Sequence, residues 1–131
     1  MLKNFLLVLG VVASFGLIGG AANAESEVVR AGTFEGRNDH VVTGGVSVMK
    51  TTSGYVVVLE QNFSLDGAPA PTLGFGKGGE FDEATEFTKL ENINGLQIYA
   101  VPAGIDPKKF DEFYVWCSQV GVSLGVAKLH K

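Results

Sequence analysis

Residues 113–117, Phe113-Tyr114-Val115-Trp116-Cys117, are the stretch that decides the fold. They hold the only tryptophan and the only cysteine of the chain in one aromatic-rich run. Since side chains of a strand alternate between its two faces, Phe113, Val115 and Cys117 are expected on one face, and Tyr114 and Trp116 on the other. Both faces are then apolar or aromatic, which is typical of a central strand covered on both sides.

Short apolar and β-branched runs, separated by turns rich in Gly, Pro and Asn, fill the rest of the chain. The clearest run is residues 55–60, and a Gly-containing turn at 51–54 connects it to the run 41–49, so a hairpin is predicted there. We count about eight short strands and no convincing helical period. The sequence therefore predicts an all-β fold, a single-domain antiparallel β-sandwich or barrel.

The last predicted strand, residues 120–127, has an uneven alternation. One face is expected to carry four branched apolar residues, Val120, Val122, Leu124 and Val126. The other face is expected to carry four small residues, Gly121, Ser123, Gly125 and Ala127. The row of small residues leaves space for a bulky neighbour, either an aromatic side chain or a ligand.

The first 24 residues have the features of a secretory signal peptide. Lys3 supplies a positive charge, residues 5–18 are mostly apolar, and residues 19–24 end in a small-residue cleavage site. A membrane anchor is the rival interpretation, but the apolar run is short for a span of about 20 residues. We therefore expect cleavage after residue 24, a mature β domain at residues 25–131, and a periplasmic or secreted protein.

The charge balance narrows the choice of partners. Without residues 1–24 the chain keeps all 14 acidic residues and loses only Lys3 among 10 basic ones, so its net charge is about −5. An acidic surface without basic clusters argues against nucleic acid and against an anionic membrane as partners of the mature protein. We expect a monomer.

The lone cysteine, Cys117, cannot form an internal disulfide. It is a buried inert thiol, as most free cysteines are, a reactive thiol, a ligand, or half of an intermolecular bridge. A disulfide-linked homodimer needs an exposed Cys117, which conflicts with a strand that is apolar on both faces. A thiol in apolar surroundings also stays protonated unless a positive group lies nearby.

Several familiar sites are absent from the sequence. There is no C-x-x-C-H haem attachment, no C-x-x-C dithiol and no G-x-S-x-G nucleophile motif. One cysteine and two histidines cannot form a typical structural zinc site, and we expect no metal site. These absences favour a protein that is not a stand-alone enzyme.

The order of motifs along the chain resembles that of the DM13 domain family, small extracytoplasmic modules. The matching positions span nearly the whole mature chain: Gly32-Thr33-Phe34, His40, Gly44-Gly45-Val46, Leu59, Asn62-Phe63, the stretch GLQIYAVP at residues 95–102, Ile105-Asp106, Phe110, Val115-Trp116-Cys117, and Gly125-Val126-Ala127-Lys128-Leu129.

The resemblance implies an exported redox or electron-transfer module with an unknown redox partner protein. Cys117 matches the signature cysteine of the family, which is suggested to act as a bare thiol or as a ligand to a non-covalent prosthetic group such as haem. His40 matches the histidine of the family, and Trp116 could line a cofactor pocket. The chain departs from the family pattern at residues 67–75, where an acidic residue is usual after a Gly-Pro. The alternative is a non-catalytic periplasmic binding domain in which Cys117 is only a core residue.

Overall fold

A computed structural model describes residues 26–131, so the predicted signal peptide at 1–24 lies outside the described residues. The regular structure of the described residues is almost entirely strand. Its elements are β1 (Ser26–Gly36), β2 (Val42–Thr43), β3 (Gly45–Thr51), β4 (Gly54–Leu59), β5 (Ser64–Leu65), β6 (Pro71–Lys77), β7 (Glu80–Phe81), the 3₁₀ helix η1 (Glu83–Thr85), β8 (Thr88–Lys89), β9 (Gln97–Ala100), the 3₁₀ helix η2 (Pro107–Lys109), β10 (Glu112–Cys117) and β11 (Val122–Lys128).

Nine of these strands form one curled antiparallel sheet. Its order is β7-β6-β10-β11-β1-β3-β4-β9, and β8 pairs with β6 outside that path. The long strand β1 connects the two halves, because its residues 26–33 pair with β3 and its residues 34–36 pair with β11. Strands β2 and β5 form a separate small pair. The predicted all-β antiparallel architecture is confirmed.

The buried core lies between the two halves of the sheet. Val46, Val48, Val57 and Leu59 come from β3 and β4, and they pack with side chains of β6, β10 and β11 in one cluster. The predicted hairpin is confirmed, since β3 and β4 pair in antiparallel register. No helix within residues 26–131 is long and apolar enough to span a membrane.

Strand β10 is central, as its sequence indicates. It pairs with β6 on one side and with β11 on the other. Phe113 and Val115 are fully buried in the core, and Phe113 makes edge-to-face ring contacts with Phe34 and Phe75. Tyr114 is 1% exposed on the opposite face, so both faces of the strand are covered.

The prediction for the two faces of the last strand was wrong in its second half. Val115 pairs with Gly125 whereas Trp116 pairs with Ser123, so the register shifts by one residue at Leu124. A β-bulge of this kind reverses which side chains point inwards. Leu124 packs in the core and Val126 does not. The predicted space beside Gly125 is occupied, because a Cβ built there would lie 2.7 Å from the Cβ of Val42.

Candidate functional site

Cys117 is the last residue of β10. It pairs with Pro71 of β6 and with Val122 of β11, and it is 1% exposed. Its Sγ donates a hydrogen bond to the carbonyl oxygen of Pro69 at 3.3 Å. The next residue, Ser118, is exposed, so the thiol lies at the end of the core and one residue from the protein surface.

A short loop, residues 66–70, lies over this thiol, and we call it the strap. Pro69 and Ala70 are exposed, whereas Cys117 beneath them is buried. The end of the strap is fixed by Ser118, whose backbone N–H and side-chain Oγ each donate to the carbonyl oxygen of Ala70 at 3.2 Å. The strap is therefore the exposed segment that contacts the buried thiol.

His40 lies at the other end of the strap. Its Nδ1 is 3.0 Å from Oδ1 of Asp66, and the backbone N–H of Val41 donates to Oδ2 of Asp66 at 3.0 Å. The backbone N–H of Asp66 in turn donates to the carbonyl oxygen of Val41 at 3.0 Å. The hydrogen bond with His40, followed by that with Val41, lowers the pKa of the Asp66 carboxyl.

A tight turn places His40 there. The N–H of His40 donates to the carbonyl oxygen of Arg37 at 3.1 Å, and the two central residues have positive φ, 53° for Asn38 and 66° for Asp39. These angles define a type I′ turn, in which Asn and Asp are favoured because they tolerate the left-handed conformation. The sequence Arg37-Asn38-Asp39-His40 thus folds locally so that the imidazole meets the start of the strap.

The structure brings His40 and Cys117 to opposite ends of one loop and does not bring them into contact. Within residues 26–131 the side-chain hydrogen bonds of His40 and Cys117 go to different partners, Asp66 and Pro69. Trp116 points away from the thiol and stacks on Phe81, with ring centroids 4.3 Å apart. The three residues selected from the sequence therefore do not line one pocket, and their roles stay predictions.

The face of β10 that carries Trp116 holds a buried polar pair. Tyr114 donates its phenol proton to Oε1 of Glu112 at 2.9 Å, and both carboxylate oxygens of Glu112 accept from the N–H of Gly79 at 3.0 Å. Burial of the phenol, and secondly its bond to Glu112, raise the pKa of Tyr114 far above the ordinary value of 10.0. A cleft of about 640 Å³ opens beside this pair, and Arg37, Ser123, Val126 and Lys128 also line it.

Two residues that matter here, Asp66 and Glu112, were not singled out from the sequence. An aspartate before Gly-Ala-Pro, as Asp66 is, is a natural acceptor for nearby backbone N–H groups. Glu112 directly precedes the aromatic-rich run of residues 113–117. Its position two residues before Tyr114 puts both side chains on the same face of a strand, and that spacing could have predicted the pair.

The arrangement around Cys117 does not fit a haem iron bound by its sulfur. Such a bond needs a free thiolate and an open face beside it for the macrocycle. Here the thiol donates to Pro69 and belongs to a continuous core of apolar side chains. Within residues 26–131 there is also no group of three or more His, Cys, Asp or Glu side chains that could hold a metal ion.

A protein-family model matches most of the chain. The family model described as "Electron transfer DM13" matches residues 33–129, a range that contains His40, the strap, Trp116 and Cys117. No curated protein and no solved structure gave a significant match. Because the family model covers most of the sequence, the chain belongs to the DM13 family, whose description is electron transfer.

Proposed function

We propose that this chain is an exported electron-transfer domain in which Cys117 exchanges electrons as a bare thiol with a partner protein. The observation that carries this proposal is the position of the only thiol, at the end of the central strand and under one short loop. The electron-transfer description of the family supports the class of function. The signal-like residues 1–24 support work outside the cytoplasm, where disulfides persist.

A lone thiol can pass electrons by exchange with a disulfide. The Cys117 thiolate attacks one sulfur of a partner disulfide, the new Sγ–S bond forms as the partner S–S bond breaks, and the released thiolate takes up a proton. A dithiol of a second partner protein, the electron donor, then attacks Sγ of Cys117 and releases the first partner as a dithiol. The second thiol of the donor displaces Cys117 as the donor disulfide forms, so over the cycle the donor loses two electrons, the first partner gains them and the Cys117 thiol is restored.

The bond from Cys117 to Pro69 sets a condition for this chemistry. The thiolate is the attacking species, but the sulfur in the closed arrangement uses its proton to bind a carbonyl oxygen. The strap must therefore open, and the proton must leave, before the sulfur can react. We accordingly expect slow exchange in the closed protein and fast exchange in any state that exposes Cys117.

A second function is favoured by the burial of the same residue. At 1% exposure Cys117 resembles an ordinary core residue, which supports a non-catalytic binding domain without thiol chemistry. The two functions differ in one property, the reactivity of the native thiol.

The test is to express the full chain in a periplasm with haem available, with Cys117→Ala as the control. Oxidised and reduced absorbance spectra are recorded, and the native protein is then incubated with glutathione disulfide. The proposal expects a colourless protein that forms a mixed disulfide in the wild type only. A Soret band that is lost in the variant would show that Cys117 ligates haem. A colourless protein whose thiol exchanges only after unfolding would contradict the proposal and support the non-catalytic binding domain instead.

A further inference from the structure

We propose that the strap, residues 66–70, is a latched cover that opens by itself to expose Cys117, and that the His40–Asp66 pair is its latch. This regulation concerns the site of the proposed function, but its geometry does not depend on electron transfer. Asp66 is the latching residue, and His40 is a positioning residue that holds its carboxylate.

The strap is held at its two ends. At its start, Asp66 bonds to the side chain of His40 and, through side chain and backbone, to Val41. At its end, Ser118 donates twice to the carbonyl oxygen of Ala70, and Cys117 donates to that of Pro69. All of these bonds except the sulfur bond lie at exposed positions, where water can replace them.

The middle of the strap has little to hold it. Ala68 is the only strap residue that packs against the core, and a Cβ built on Gly67 would meet nothing within 4 Å. Gly67 and Ala70 have φ angles of 113° and 52°, in the left-handed region, which is unfavourable for Ala70. A segment with few apolar contacts and a strained backbone opens at a lower cost than the whole domain.

The flanking residues limit how far the opening extends. Leu65 before the strap is 2% exposed, and Thr72 just after it is 8% exposed and bonded to the carboxylate of Glu86. Both remain within the sheets when residues 66–70 swing out. The motion therefore uncovers the thiol without unfolding β5 or β6.

The rate at which iodoacetamide alkylates native Cys117 tests the latch, because only the uncovered thiol reacts. Asp66→Ala removes two hydrogen bonds to the strap, and we expect about tenfold faster alkylation. His40→Ala should give an intermediate increase, and His40→Asn, which keeps a donor near the position of Nδ1, should restore a rate close to that of the wild type.

Asp106→Ala is the matched control. Asp106 also caps a backbone N–H, that of Lys108 at 3.0 Å, but at η2 instead of at the strap. We expect its alkylation rate to equal that of the wild type. Urea at concentrations below the unfolding transition should leave all rates nearly unchanged, because a local opening exposes little surface.

Two outcomes would overturn the latch: equal rates in Asp66→Ala and Asp106→Ala, or alkylation that follows global unfolding with its full urea dependence. Alkylation involves no electron exchange, so the latch and the proposed function fail separately. Alkylation that is fast, without any disulfide exchange, would contradict the redox role of Cys117 and still support the opening of the strap. A rate of disulfide exchange that is the same in the wild type and in Asp66→Ala would support the redox role of Cys117 and contradict the latch.

Discussion

Cys117 and Pro69 are joined by a hydrogen bond in which Sγ donates to the carbonyl oxygen at 3.3 Å. The bond connects the end of the central strand to the strap, in which Asp66, Pro69 and Ala70 are exposed. It gives the only thiol of the chain a specific partner, which a thiol that merely fills core volume does not need. We therefore expect the reactivity of Cys117 to depend on the loop that contains Pro69.

The carboxyl of Asp66 is expected to titrate below its ordinary value of 3.8. In His40→Ala the pKa should rise towards that value, and some lowering should persist because Val41 still donates to the carboxylate. Since the folded pKa is lowered, the ionised carboxylate stabilises the strap above pH 3.8, and this contribution is lost as the pH falls through the folded value. Carboxyl NMR titration of both proteins measures the shift. Identical pKa values in the two proteins would contradict the latch contact.

Tyr114→Phe should make the free energy of unfolding less dependent on pH in the alkaline range. The unfolded phenol ionises near pH 10.0, whereas the folded one keeps its proton, so the free energy of unfolding falls as the pH rises above that value. One such group contributes a slope of up to about 1.4 kcal/mol per pH unit. Urea unfolding at several pH values measures it. Tyr99, whose pKa burial also raises, should retain a slope of the same sign in the variant.

Gly125→Ala should destabilise the domain by about 1–3 kcal/mol, because the added Cβ would lie 2.7 Å from the Cβ of Val42. Combining it with Val42→Gly should cost less than the sum of the single changes, since that substitution removes the Cβ and both Cγ atoms that the new methyl group would meet. Gly104→Ala is the control, because a Cβ there meets nothing within 4 Å. Urea unfolding of the four proteins gives the coupling. Strict additivity would mean that Val42 does not fill this space.

Phe81→Ala should expose the indole ring of Trp116, because the two rings are stacked with centroids 4.3 Å apart. Trp116 is the only tryptophan, so the tryptophan emission of the folded protein reports on the surroundings of this one ring. We expect a shift to longer wavelength, whereas Phe87→Ala, on the core side of the sheet, should leave the emission unchanged. Equal spectra in wild type and Phe81→Ala would contradict the stacking.

The architecture could be predicted from the sequence, because a strand with two apolar faces must lie inside the sheet. The alternation in residues 113–117 predicted which side chains of β10 enter the core, and Phe113 and Val115 do so. The alternation in residues 120–127 gave the wrong faces for the second half of the last strand, because the bulge at Leu124 inserts one residue. A bulge depends on how two strands pair, and no pattern within a single strand shows it.

The candidate site was only partly predictable for a similar reason. Cys117 stands out as the only cysteine, and the resemblance pointed to His40. The partners of these residues, Pro69 and Asp66, are separated from them by 48 and 26 positions along the chain, so only the fold brings them together. The sequence can thus identify candidate reactive groups, whereas the residues that they contact are determined by the topology of the fold.

The most direct test of the central claim is to equilibrate the native full chain with glutathione buffers over a range of reduction potentials and to measure the glutathionylated fraction of Cys117 by mass spectrometry. The proposed function predicts a reversible transition at one potential, reached while circular dichroism shows the folded state and absent in Cys117→Ala. A thiol that stays unmodified at every potential until the protein unfolds would contradict the claim and identify Cys117 as a core residue.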